Sequence, residues 1–92
     1  MVVPPYCRTR AGRVFRLERS TLRLAPDRVQ YLLRALPIGR AAAAPPLTVS
    51  REIDVDLLRD KLANRQAIPT PEDTFDALFD QLRRELDARD DA

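Results

Sequence analysis

Eight prolines in 92 residues set an upper length on every regular element this chain can form. They stand at positions 4, 5, 26, 37, 45, 46, 69 and 71. A proline inside a helix or a central strand removes a backbone donor and breaks the element. With only two glycines for tight turns, the chain is cut into short pieces. A chain of this size buries only around 60 to 65% of its unfolded surface, so one small domain, or a mini-domain with an arm, is expected.

Each piece has its own pattern. "MVVPPYCRTRAG", residues 1 to 12, has no period and reads as an extended arm. "RVFRLERSTLRL" is strand-like, with Phe15 and Leu17 on one face and Leu22 and Leu24 on the other, and this change of phase predicts a bulge or turn near Arg19 and Ser20. In "APDRVQYLLRALP", Ala25 to Pro37, the residues Val29, Leu32, Leu33 and Leu36 follow i, i+3, i+4, i+7 spacing between two prolines, which predicts a helix. "IGRAAAAPPL", Ile38 to Leu47, reads as a linker.

Beyond the linker, "LTVSREI" alternates as a short strand, Leu47 to Ile53. Asp54 then caps a helix with Val55, Leu58 and Leu62 on one stripe, and Asn64 ends it. The last helix is signalled most fully. Thr70 caps, Pro71 suits the first helical position, and Glu72 and Asp73 place negative charge at the positive end of the dipole. It is expected to run to about Arg89, with Phe75, Leu78, Phe79, Leu82 and Leu86 on one face. The fold class expected is mainly α with short β segments: a small helical domain preceded by a basic, extended or strand-like arm.

The net charge of +2 conceals a division. Residues 1–46 carry nine arginines against Glu18 and Asp27, a net +7, while residues 47–92 carry seven basic and twelve acidic residues, a net −5. Two halves of opposite sign face different surroundings. The expected organisation is therefore 1–46 as a basic, nucleic-acid side and 47–92 as an acidic strand-helix-helix segment for a second copy or a protein partner.

Several chemistries are hard to write with these residues. Histidine is absent and Cys7 is the sole cysteine, which puts a four-ligand structural zinc site and an internal disulfide out of reach. Two glycines cannot build a phosphate-cradling loop or a dinucleotide fingerprint. Ser20 and Ser50 have no base arranged around them, so no enzyme, cofactor, metal site or small-molecule substrate is expected. Arg8 and Arg10 would favour a Cys7 thiolate, against the plainer reading of an incidental cysteine in an arm. The longest charge-free stretch, Ala41 to Ser50, is too short to span a bilayer. No apolar signal core is read in the first twenty residues, and a cytoplasmic protein is expected.

Arg8, Arg10, Arg13, Arg16, Arg19 and Arg23 recur every two or three residues beside Tyr6 and Phe15. On an extended backbone such a series tracks phosphates. The stripe Phe75, Leu78, Phe79, Leu82 and Leu86 is either an interface or core packed on the preceding helix; two lone helices bury too little to stand unaided, so it is expected to bind a partner.

At "LTVSREIDVDLLRDKLANRQAIPTPEDTFDALFDQLRREL" the order strand, helix, turn, helix resembles the ribbon-helix-helix family of small bacterial repressors and antitoxins. "REIDVDLL" is similar to the strand running into the first helix, and "TPEDTFDALFDQL" to the second. The resemblance implies an intertwined dimer whose paired strands enter the major groove. Leu58 to Asn64 and Asp76 to Phe79 are similar to the C-terminal helices of flagellar anti-sigma factors. The function expected is a bipartite, non-enzymatic regulator of antitoxin or repressor type that binds DNA through the arginines and a protein through the acidic helices. The alternative is a protein-interaction module, such as an adaptor, an anti-sigma-type inhibitor or a small subunit, with no nucleic acid.

Overall fold

The computed structural model describes residues 3–39 and 44–90. Four strands form one antiparallel sheet in the order of the chain: β1 (Tyr6–Arg8), β2 (Val14–Ala25), β3 (Arg28–Ile38) and β4 (Leu47–Asp54). Two helices follow, α1 (Val55–Ala63) and α2 (Pro71–Asp90). Strand accounts for 41% and helix for 35%. The expectation of a mainly α fold is thus corrected to a sheet backed by helix.

The correction turns on Ala25 to Pro37, expected as a helix and found as the turn into β3 and the strand itself. β3 lies between β2 and β4, and both its faces carry apolar residues. Leu33 and Ala35 are buried toward the helix layer, while Leu32 and Leu36 are half-buried on the other side. A strand apolar on both faces places apolar residues at 29, 32, 33 and 36 as readily as a helix does. Pro37 is tolerated because pairing with β4 stops at Ala35↔Leu47, leaving one side of Pro37 without ladder partners.

The β2–β3 hairpin turns through Pro26 and Asp27, with Ala25 opposite Arg28. Neither turn residue has positive φ, so this is not one of the mirror-image turns that match strand twist. A register shift between Arg23 and Ala25 accommodates the mismatch. The irregularity expected at Arg19 and Ser20 is therefore found at the hairpin end, and β2 runs unbroken past those two residues. The expected arm includes β1, which pairs Tyr6↔Arg16, Cys7↔Phe15 and Arg8↔Val14. Gly12, at φ +88 in the β1–β2 turn, donates to the Thr9 carbonyl at 3.0 Å.

The boundary drawn between residues 46 and 47 falls between two paired strands. β3 and β4 match from Arg28↔Asp54 to Ala35↔Leu47, so the basic and acidic halves share one sheet. Of the expected linker, residues 40–43 lie outside the described residues, as do residues 91 and 92 of the tail.

Both helices begin as their sequences require. Asp54 accepts from the N–H groups of Asp56 and Leu57 at 2.9 and 3.1 Å. At α2, the Asp73 N–H donates to Thr70 Oγ1 (3.1 Å) while the Thr70 N–H donates to Asp73 Oδ2 (3.0 Å), a reciprocal cap. Thr70, first through its backbone and then through its side chain, holds the Asp73 carboxyl below its ordinary 3.8. This contribution is present above that pH and is lost as pH falls through the lowered value.

α2 lies across β3 and β4. Phe75, Leu78, Phe79, Leu82 and Leu86 are buried against Phe15, Leu17, Leu33, Ala35 and Val49, each leucine or phenylalanine worth roughly 1.5–3 kcal/mol on burial. Tyr31 meets the Phe75 ring edge-on at 5.4 Å. At its far end α2 is tied to the β1–β2 turn, where the Arg10 N–H donates to Asp87 Oδ1 at 3.0 Å, and Arg89 donates to the Pro45 carbonyl at 2.8 Å. Twenty helical residues span about 30 Å, but the molecule extends 49 × 23 × 23 Å. The hairpin end and α1 therefore project beyond the helix layer. No helix among the described residues is long and apolar enough to cross a membrane.

Candidate nucleic-acid interface

Side chains alternate across a strand, so pairing register decides which arginines can act together. One face of the sheet is occupied by α2. The other is uncovered among the described residues, and its rows read Arg8–Val14–Ile38, Tyr6–Arg16–Leu36, Glu18–Arg34–Thr48, Ser20–Leu32–Ser50 and Leu22–Gln30–Glu52. Tyr6 is 53% exposed, which leaves its ring available for contact.

The six arginines expected to track phosphates do not share that face. Arg8 and Arg16 are on it. Arg19 and Arg23 are on the helix side, where the Arg19 guanidinium lies 5.6 Å from the centre of the Phe75 ring. Arg10 and Arg13 are in the β1–β2 turn, Arg10 beside Asp87 at 3.8 Å. A spacing of three along a strand sends successive side chains to opposite faces, which is why Arg13, Arg16 and Arg19 separate.

Register instead supplies Arg34 and Arg28 from β3, residues hidden by the helical reading of that segment. Taken as a strand, Arg28, Gln30, Leu32, Arg34, Leu36 and Ile38 alternate onto the open face, and that period of two was the available signal. Arg16 is bound to Glu18 at 2.8 Å and Arg28 lies 3.8 Å from Glu52. Arg8 and Arg34 are in no ion pair among the described residues, although Glu18 stands opposite Arg34 in register. The open face therefore carries Arg8, Arg16, Arg28 and Arg34 against Glu18, Glu52 and Asp54 and remains net positive.

The opposite layer is acidic. Glu72, Asp73, Asp80 and Glu85 are exposed on α2, beside exposed Arg83 and Arg84. The stripe expected to hold a partner, Phe75, Leu78, Phe79, Leu82 and Leu86, is the inner face of the same helix and lies buried against this chain's own sheet. The apolar surface left exposed is at the other end. α1 buries none of its residues, and Leu57 and Leu62 are 53% and 58% exposed.

Cys7, considered as a reactive thiol, is 4% exposed and belongs to the core. Burial pushes its pKa up; Arg83 opposes this and Asp87 adds to it. The arginines at 8 and 10 do not activate it, because neighbours along a strand point to the opposite face or lie in the turn. Near the hairpin, the carboxylates of Asp27, Asp54 and Asp56 lie within 4.8 Å of one another and are exposed, and Asp54 is already engaged as the α1 cap. No family model matches the chain, and no curated protein or solved structure matches it either.

Proposed function

We propose that this chain is a small non-enzymatic regulator that holds nucleic acid on the open face of its sheet. One observation carries the reading: Tyr6, Arg8, Arg16 and Arg34 come from three strands onto the one face that no helix covers among the described residues, with Arg8 and Arg34 in no ion pair there. Guanidinium groups on a fixed surface bind phosphate with bidentate geometry. A single core thiol suits a reducing, cytoplasmic setting.

The test is a binding titration of the full chain against labelled mixed-sequence nucleic acid over a range of salt. Affinity should fall steeply with salt, and replacing Arg8 and Arg34 together by alanine should flatten the log–log slope by roughly 1.4 to 1.8. Replacing Arg59 and Lys61 on α1 should change it little. Absence of binding at low salt would sink the proposal.

The second reading, a protein-interaction module without nucleic acid, is favoured by α1. A helix with no fully buried residue that exposes Leu57 and Leu62 is suited to a protein partner. In a bipartite regulator that contact belongs to α1 rather than to the α2 stripe.

A further inference from the structure

Resting on the nucleic-acid reading above, we infer that the polynucleotide held by the open face is unpaired. A duplex offers its phosphates and the base edges in its grooves. Its major groove, about 12 Å wide, admits a helix or a two-stranded ribbon. Here β4 remains paired with β3 to Arg28↔Asp54 at the hairpin end, so no two-stranded ribbon stands clear to enter a groove. Three strands at about 4.8 Å spacing already span about 10 Å between their outer axes, and four span about 14 Å, before side chains are added. On its other side this sheet is backed by α2. The face can lie against a nucleic acid but is too broad to be inserted.

What lies between the arginines then decides the occupant. Val14 and Ile38 share a row with Arg8, and Tyr6 and Leu36 share the next with Arg16. Tyr6 and Ile38 are 53% and 37% exposed. A duplex keeps its base faces inside the stack, so against it these apolar groups would meet charged backbone. An unpaired strand presents base faces that can stack on Tyr6 and pack on the aliphatic residues while its phosphates reach Arg8 and Arg34. A second copy is disfavoured as occupant, since two faces of the same net positive sign would repel.

The test titrates the full chain against a labelled unpaired RNA of roughly twenty nucleotides, the DNA of the same sequence, and the corresponding DNA duplex. The unpaired strand should bind at least about tenfold more tightly than the duplex, and Tyr6→Ser should weaken single-strand binding about tenfold while leaving duplex binding nearly unchanged. Tyr6 is exposed on the outermost strand, and the comparison between single strand and duplex needs no variant. Either unpaired strand binding more tightly than the duplex supports the inference, and the tighter of the two identifies the sugar. Equal or tighter duplex binding overturns the inference while leaving the nucleic-acid reading standing. Failure of all three to bind overturns both.

Discussion

At Arg65 the chain places an ordinary side chain where a glycine would fit better. α1 ends with Asn64 as its C-cap, and Arg65 follows at φ 56. The Arg65 N–H bonds to the Leu62 carbonyl at 3.0 Å and the Gln66 N–H to the Lys61 carbonyl at 2.8 Å. That is the bonding pattern of a Schellman motif, in which a residue in the left-handed region closes the helix and glycine is the usual occupant. An L side chain in that region costs about 1 kcal/mol. Arg65→Gly should therefore stabilise the protein by about 0.5–1 kcal/mol, less what glycine adds to the freedom of the unfolded chain. Urea denaturation would check it, and a loss of stability would mean that Arg65 makes up the strain through contacts of its own.

The two helices differ in kind, and the contrast is measurable. Leu82 is fully buried beneath α2; Leu82→Ala should cost about 2–5 kcal/mol through lost burial and a residual cavity. Leu62, 58% exposed on α1, should tolerate serine within about 0.5 kcal/mol. Urea midpoints for the two variants decide it, and comparable losses would mean that α1 belongs to the core. Both helices were legible from the sequence because their signals are local: Asp54 and Thr70 cap, Asn64 stops, and the Phe75 to Leu86 stripe has a single period. β3 was not legible, because Val29, Leu32, Leu33 and Leu36 satisfy a helical spacing whenever both faces of a strand are apolar. Only its non-local partners, β2 and β4, distinguish the two. The candidate site inherits the same blindness. Arg8 and Arg16 were legible as chemistry, but which arginines share a face depends on register, and Arg34 was concealed by the helical reading.

Taken as a whole, the molecule joins halves of opposite charge through a single central strand. β3 belongs to the basic half, yet from Arg28 to Ala35 one of its edges is paired with β4 of the acidic half. The α2 stripe, also acidic-half, is buried against Phe15, Leu17, Leu33 and Ala35 from the basic half. Separated, residues 47–92 would expose the whole stripe on two helices and one unpaired strand, and residues 1–46 would expose the other side of the same core. Neither fragment retains enough buried surface to offset its conformational entropy. The intact chain should therefore unfold in urea in one transition, with tyrosine fluorescence and far-ultraviolet circular dichroism coincident. Each fragment alone should show no cooperative transition. Mixed at low salt, fragments of net +7 and −5 should recover strand and helix signal together, since charge speeds their encounter and the shared core holds them, and added salt should slow that recovery. A fragment of residues 47–92 that melts cooperatively by itself would show instead that the acidic half is an independent domain.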